Sequence, residues 1–144
     1  MVVLEGTTKE QIYYEDTDFT GFVYHANYLK YFDRAREILV GIDALRDLHG
    51  RSGAHFVVVN IDIRYLAPAR FGDLLTIKSR TEITRSPKHT YTHDAYVGDQ
   101  LITSARVDLV AVDQAGKPRR IPESELQELA HLQQLRAQKG LAKP

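Results

Sequence analysis

Hydrophobic residues follow a helical period in one stretch of the chain. Apolar side chains recur there every three or four positions, with polar residues between them. The apolar positions are Tyr28, Tyr31, Phe32, Ala35, Ile38 and Leu39. This stripe predicts an amphipathic helix over Asn27–Val40, ended by Gly41. A shorter helix is predicted over residues 43–49, ended by Gly50.

From His55 onward the period changes to two, which is typical of strands. Alternating residues predict a strand from His55 until Pro68 breaks the pattern, and strands over residues 75–83, 90–97 and 101–112, after a weaker first strand over residues 7–16. On the second strand the alternation predicts one apolar face, which consists of Val57, Val59, Ile61, Ile63 and Tyr65.

The order of these elements predicts an α+β fold. One long helix cannot cover both faces of a parallel sheet, because each parallel crossover needs a helix of its own. We therefore expect a bent antiparallel five-stranded sheet wrapped around the long helix, plus a C-terminal helix over residues 123–139. That last helix is predicted to have Pro122 at its first position and a capping box of Ser124 and Gln127. A single domain over residues 1–144 is expected, with its core in about residues 7–122.

Composition removes several classes of function. Lys and Arg total 19 and Asp and Glu also total 19, so no global field attracts nucleic acid or an anionic membrane. The absence of cysteine excludes disulfides and thiolate catalysis. The N-terminus shows no signal-peptide pattern, and no apolar run approaches the ~20 residues that span a bilayer. We expect a cytoplasmic protein with no nucleic-acid partner and no membrane insertion.

Residues 11–28 carry the candidate chemistry. Asp16 and Asp18 end the predicted first strand, Gly21 allows a tight reversal, and the long helix begins at Asn27. A carbonyl placed there would meet the free N–H groups and positive dipole end of that helix. A carboxylate at Asp18 beside such donors is the pairing that acyl transfer requires.

A set of residues around this segment also carries a family resemblance. The matching positions are Gln11, Ile12, Thr17, Asp18, Gly21, Val23, His25, Asn27 and Tyr28, followed by Arg34, Ala35, Arg36 and Glu37 in the helix. In these positions the chain resembles the 4-hydroxybenzoyl-CoA thioesterase family of hotdog proteins, and within it the Tol–Pal-associated, YbgC-like acyl-CoA thioesterases. The resemblance continues more loosely through residues 65–69 and 117–122, so it covers most of the chain.

The resemblance implies a hotdog fold that assembles as a homodimer or homotetramer, with the active site shared between subunits. It implies hydrolysis of an acyl-CoA thioester to free acid and coenzyme A, with water as co-substrate and no cofactor. Asp18 matches the catalytic aspartate, acting as nucleophile or general base. The backbone N–H of His25 matches the donor that polarises the thioester carbonyl, and Tyr14 and the His25 side chain match supporting positions. An acyl carrier protein is an alternative partner.

Three positions depart from the family pattern. Phe19 and Thr20 replace a pair that is often small or contains proline, and Phe22 replaces a small aliphatic residue. All three differences make the turn bulkier, so the size of the acyl pocket stays open.

A second group, Arg85, Ser86 and Lys88, lies between two predicted strands. The resemblance implies that basic and hydroxyl residues near this junction contact the coenzyme A moiety, and Arg119 and Arg120 are weaker candidates. The alternative interpretation is a solvated basic turn.

Purely structural interpretations remain open for the candidate aspartate and for the histidines. Asp18 could cap its own turn, as aspartate before a glycine-containing reversal commonly does. His25 could be an ordinary polar residue at a helix start. His89 and His93 are four apart, which on a strand separates their backbones by roughly 13 Å and argues against a shared metal. No metal site is predicted.

Two rival functions stay in view. One is a non-catalytic module that binds acyl-CoA or an acyl carrier, but such a module has no evident need of the Asp18 carboxylate. The other is a hotdog dehydratase acting on 3-hydroxyacyl thioesters. Dehydratases of this fold use a histidine with an acid from the helix, whereas here the acid precedes the helix.

Overall fold

The computed structural model describes residues 1–138, which form one antiparallel sheet and three α-helices. The strands are β1 (Val2–Gln11), β2 (His55–Tyr65), β3 (Leu74–Ile83), β4 (Lys88–Val97) and β5 (Gln100–Val112). The helices are α1 (Asn27–Val40), α2 (Ile42–Ser52) and α3 (Glu123–Gln138). The strands lie in the order β1-β3-β4-β5-β2, and each neighbouring pair is antiparallel. The predicted α+β architecture is confirmed.

Helix α1 packs on the inner face of the sheet through the predicted stripe. Buried side chains of its first half join a core cluster near the ends of β1 and β2, and Leu39 joins a second cluster at the other end of the sheet. Ile38 was expected beside this stripe but is exposed. Arg36 is buried instead, because its guanidinium reaches His93 on β4 and Asp33 on its own helix.

The prediction for the first strand was wrong in its bounds. The strand starts at Val2 and ends at Gln11, where it pairs with Leu74. Ile12 then leaves the ladder and its N–H donates to the carbonyl of Asp73, and Tyr14–Asp16 forms a 3₁₀ turn.

The predicted faces of β2 were wrong for half of the strand. The register shifts between Val58 and Asn60, so Val59 forms a bulge. A one-residue insertion exchanges the two faces on either side of it. Ile61, Ile63 and Tyr65 stay together as predicted, whereas Val57 pairs with Val110 on the outer face.

Two helix ends also differ from prediction. Helix α2 continues through Gly50 to Ser52, and Gly53 ends it at a left-handed φ of 69°. Helix α3 starts at Glu123, and the Pro122 carbonyl accepts N–H groups from its first turn, so Ser124 lies inside the helix rather than at its cap. Position 139 of the predicted C-terminal helix lies outside the described residues. No helix in residues 1–138 is long and apolar enough to cross a membrane.

Candidate active site

The segment between β1 and α1 folds into a tight turn centred on Asp18. The Asp18 N–H donates to the Phe22 carbonyl at 3.0 Å, and the Gly21 N–H donates to the Asp18 carbonyl at 3.0 Å. Gly21 adopts φ of 82°, a conformation that strongly favours glycine. A bridge between Thr17 and Val23 closes the turn, and the Val23 N–H donates to the Ala69 carbonyl at 2.9 Å, which anchors the turn to the body of the protein.

Thr20 holds the carboxylate of Asp18 in place. Oδ1 of Asp18 accepts the Thr20 backbone N–H at 2.8 Å and also the Thr20 hydroxyl. These bonds lower the pKa of Asp18, the hydroxyl most, and the charge of His25 contributes in the same direction. The carboxylate is therefore ionised at neutral pH and lies within electrostatic reach of the His25 imidazole. Within residues 1–138 the side-chain hydrogen bonds of Asp18 all involve Oδ1, which leaves Oδ2 available.

The start of α1 presents unused backbone donors close to this turn. The helix begins at Asn27 with Ala26 as its N-cap, and the N–H groups of His25 and Ala26 donate to no acceptor among the described residues. Such N–H groups, together with the positive end of the helix dipole, favour an anion or a polarised carbonyl oxygen. The His25 side chain is exposed, and the His25 carbonyl accepts a 2.9 Å hydrogen bond from the hydroxyl of Tyr65 on β2. The helix start is thereby fixed to one edge of the sheet.

Asp16 has both carboxylate oxygens engaged in structure. Oδ2 accepts the Tyr13 N–H at 2.8 Å, and Oδ1 accepts the Asn27 side-chain amide at 3.0 Å. The Asp16 carbonyl also accepts the Tyr24 N–H at 2.8 Å. Asp16 therefore joins the 3₁₀ turn to the first residue of α1, so both of its carboxylate oxygens have a structural role.

Tyr14, the third predicted catalytic position, points its side chain into solvent. It is 79% exposed, and its ring stacks on Phe71 at a centroid distance of 4.8 Å. Its carbonyl accepts both the N–H and the hydroxyl of Thr17, so the backbone of Tyr14 supports the turn. Two of the residues that depart from the family pattern are phenylalanines. Phe19 is fully exposed, whereas Phe22 is half-buried beneath the guanidinium of Arg70.

The predicted coenzyme A residues lie at the opposite end of the sheet in the same chain. The register pairs Val2 with Ile83 at that end and Gln11 with Leu74 at the Asp18 end. Ten strand residues separate the two ends, about 33 Å. The exposed turn holding Arg85, Ser86 and Lys88 is therefore not brought to Asp18 within one chain.

Several contacts occupy the groups of this basic turn. Arg85 Nε donates to the Ile121 carbonyl at 3.3 Å, and the Ile121 N–H donates back to the Arg85 carbonyl. Ser86 Oγ accepts the Lys88 N–H at 3.3 Å, and Lys88 Nζ lies 3.8 Å from Asp108 Oδ2. The charge of Lys88 stays exposed, with 58% of its side chain accessible.

No group of three or more histidine, aspartate or glutamate side chains in the described part of the chain is arranged to hold a metal ion. His93 has its two nitrogens engaged, Nδ1 with Ser79 Oγ at 2.7 Å and Nε2 with Arg36 at 3.3 Å. Because an arginine can only donate, Nε2 is the accepting nitrogen. Burial lowers the pKa of His93 to about 3, so this imidazole is neutral and structural.

Sequence reasoning missed two partners of the site. Thr20 was treated only as a departure from the family pattern, although a hydroxyl residue two positions after an aspartate is a recognisable turn signal. Tyr65 was assigned only to a strand, and nothing in the local sequence indicates its contact with His25, forty residues away.

Comparisons with known proteins identify the family. The profile of the thioesterase-like superfamily matches residues 13–132. The chain belongs to the thioesterase-like superfamily. The Escherichia coli protein named acyl-CoA thioester hydrolase YbgC is 35% identical to it over 122 residues, covering 79% of this chain and 87% of that protein.

Solved structures of thioesterases have the same fold as this chain. A probable thioesterase from Bartonella henselae is 31% identical with a TM-score of 0.70, over 82% of this chain and 99% of that one. The 4-hydroxybenzoyl CoA thioesterase from Pseudomonas sp. strain CBS-3 shares the fold at 22% identity, with a TM-score of 0.76 over 88% and 99% of the two chains. The predicted family, hotdog fold and class of enzyme are confirmed.

Proposed function

We propose that this thioesterase hydrolyses an acyl-CoA thioester to a free acid and coenzyme A, with Asp18 as its catalytic carboxylate. The observation that carries the proposal is the juxtaposition in one loop of an ionised carboxylate and unused helix-start donors. Asp18 has one free oxygen, and the N–H groups of His25 and Ala26 have no acceptor among the described residues. The relatives named acyl-CoA thioester hydrolases support the same substrate class.

Two routes are compatible with this arrangement. As a nucleophile, Asp18 attacks the thioester carbon, the thiolate of coenzyme A leaves, and water hydrolyses the resulting mixed anhydride. As a general base, Asp18 takes a proton from water, whose oxygen attacks the same carbon. The thiolate of coenzyme A then leaves and takes up that proton. In both routes negative charge develops on the carbonyl oxygen, where the His25 N–H and the helix dipole stabilise it.

The active form proposed is a homodimer joined along β2. This strand is an edge of the sheet, and long apolar edges are templates for pairing with another chain. Its exposed apolar side chains, each 39–57% accessible, are Val57, Val58, Val59, Ile61 and Tyr65. A two-fold axis through this edge runs the two copies of β2 antiparallel, which brings the His55 end of one copy beside the Tyr65 end of the other.

This pairing also gives the basic turn a role in the second copy. Lys88 begins β4, which lies two strands, roughly 10 Å, from the His55 end of β2. Arg85, Ser86 and Lys88 of one copy therefore lie at the same end of the joined sheet as Asp18 of the other, and we assign them the nucleotide of coenzyme A. The tetramer, the acyl carrier protein, the cytoplasmic location and the single domain over residues 1–144 stay predictions.

Coenzyme A release from a panel of acyl-CoAs tests the proposal. Because the chain contains no cysteine, a thiol-reactive dye reports only the coenzyme A that is set free. Asp18→Asn keeps the shape of the side chain and should lower turnover at least about a hundredfold. Asp16→Asn is the matched control and should be mild, because its role is structural. Near-normal hydrolysis by Asp18→Asn, or an equal loss in Asp16→Asn, would sink the assignment.

A further inference from the structure

A ligand-sized opening in the described residues lies far from Asp18. It is a cavity of about 490 Å³ between the second half of α1, helices α2 and α3, and the end of the sheet where β2 starts. A volume of this size suits a small organic ligand. Nothing in the chemistry assigned to Asp18 and the helix start uses this space.

The walls of the cavity are mainly apolar, with polar groups on the sheet and α1. The apolar wall includes Leu48 on α2, Phe56 on β2, Leu109 on β5, and Leu126 and Leu129 on α3. The buried polar groups are Arg36 on α1, and His89 and Tyr91 on β4. A few polar groups in an otherwise apolar cavity are the usual form of a ligand site.

His89 leaves one polar atom without a partner. Its side chain is 2% exposed, and Nε2 has no hydrogen-bond partner among the described residues. Burial lowers the pKa of His89, against the opposing effect of backbone hydrogen bonds to Thr84 and Ser86. The ring is therefore neutral at neutral pH. Its unpartnered Nε2 is an atom that a ligand hydroxyl could satisfy, because a hydroxyl can both donate and accept a hydrogen bond.

The charges around the cavity favour a neutral ligand. The Arg36 guanidinium contacts Asp33 at 3.0 Å and His93 at 3.3 Å, so its charge already has a partner and needs no anionic ligand. Arg51 at the rim lies 3.0 Å from both Asp47 and Glu128. Further rim carboxylates are Glu37, Asp43 and Glu125. A carboxylate on the ligand would be repelled by these groups.

We propose that this cavity binds the acyl group of the thioester held at Asp18 of a second copy, and that Nε2 of His89 forms a hydrogen bond with a hydroxyl on that acyl group. The inference rests on the proposed function and dimer. In the antiparallel pairing, the cavity wall at His55 and Phe56 of one copy lies beside Tyr65 of the other, and Tyr65 contacts the loop at His25. The preferred substrate is thus a neutral, apolar acyl group carrying a hydroxyl.

A mixed dimer tests whether the cavity acts in the second copy. Leu129→Trp fills the cavity and should lower kcat/KM tenfold or more for the best substrate of the panel, whereas Leu135→Trp, outside the lining, should not. Leu48→Trp repeats the test from α2 if the first variant folds poorly. A dimer with Asp18→Asn in one chain and Leu129→Trp in the other keeps one intact site, and should recover about half of the wild-type activity. Full activity in the filled homodimers, or no recovery in the mixed dimer, overturns the proposal.

Substrate pairs test the hydroxyl. Straight-chain acyl-CoAs from butyryl to dodecanoyl are compared with the same chains bearing a terminal hydroxyl. At the length that reaches His89, the hydroxylated chain should be preferred about tenfold or more. His89→Leu should abolish the preference, His89→Gln should retain part of it, and His131→Leu, an exposed control on α3, should leave it unchanged. The absence of a preference at every length overturns the role of His89.

A binding measurement separates this inference from the proposed hydrolysis. The chain has no tryptophan, so Phe56→Trp introduces a single fluorophore at the cavity wall. Saturable emission changes with the methyl ester of a hydroxylated fatty acid, which carries no charge, are expected there, and none are expected from Tyr96→Trp at the other end of β4. If wild type releases no coenzyme A but Phe56→Trp still responds, the function is wrong and the cavity site stands. If hydrolysis occurs and Phe56→Trp is silent, the cavity assignment is wrong.

Discussion

The two ends of the sheet differ in what each supplies. The end with Asp18 has an ionised carboxylate and free backbone donors, and the side chains beside them, Tyr14 and Phe19, are exposed. The opposite end has the apolar cavity with His89 at its wall, and the basic turn with Lys88 at its tip. One end therefore has reactive groups and the other has ligand-sized volume and positive charge.

This separation is the reason we propose that the active site needs two copies of the chain. About 33 Å of strand lies between the two ends within one copy. A two-fold axis through β2 juxtaposes unlike ends without bending either copy. The exposed apolar edge of β2 and the division of functional groups thus have the same proposed explanation.

The largest effect is expected from changes to the backbone donor at the Asp18 end. His25→Pro removes the N–H and should lower turnover on the order of a hundred- to a thousandfold. His25→Ala keeps the N–H and should retain a substantial part of the activity. Steady-state turnover of both variants checks this, with circular dichroism to confirm that the proline variant is folded.

The opposite results are equally informative. Wild-type turnover in a folded His25→Pro variant would refute the backbone role. Equal damage from His25→Ala would instead mean that the imidazole takes part directly.

A charge on the β2 edge should break the proposed dimer. Asp18 of one copy would then be separated from the cavity of the other. Ile61→Lys places a lysine at the proposed interface, and burying it without a partner in each copy should weaken association at least about a hundredfold. Sedimentation should show a monomer at micromolar concentration, with a matching loss of activity. Val3→Lys on β1, at a similar exposure of 41% against 39%, is the control and should stay dimeric. An unchanged mass for Ile61→Lys would exclude β2 as the interface.

Removing charge from the basic turn should have a smaller effect. Lys88→Ala should raise KM for acyl-CoA several-fold with little change in kcat, since a nucleotide contact far from the reacting carbon contributes uniform binding. The effect should shrink with an acyl-pantetheine, which lacks the nucleotide. Lys9→Ala, an exposed lysine on β1, is the control. Equal effects on both substrates would mean that Lys88 acts through its contact with Asp108 instead.

The smallest effect concerns the pH profile at the Asp18 end. The Thr20 hydroxyl lowers the pKa of Asp18 below its ordinary 3.8, so the active carboxylate is lost only as pH falls through that depressed value. Thr20→Val removes the hydroxyl, which raises the pKa and should move the acid limb of kcat/KM to higher pH. Profiles of both proteins over the range where each stays folded check this. An acid limb of kcat/KM at an unchanged pH would show that a group other than Asp18 controls it.

The local pattern of apolar and polar residues was sufficient to predict those helices and strands that bury a clear apolar stripe. The bounds of α1, Asn27–Val40, and the start of β2 at His55 were predicted correctly because they fall at changes of period. The start of β1 was missed, since its residues alternate weakly and pair with β3 some seventy residues away. The bulge at Val59 was invisible for a related reason, because a register shift is a property of two strands rather than of one.

The site divides in the same way. Asp18, Gly21 and the start of α1 are neighbours along the chain, so a motif of eighteen residues was enough to predict both the carboxylate and its helix-start donors. Residue spacing could not reveal the hydrogen bond of Tyr65 to the His25 carbonyl, the cavity beneath α2 and α3, or the distance of Lys88 from Asp18. Those features depend on which strands pair, in what register and at which end of the sheet, and such long-range pairings emerge only when the whole core packs.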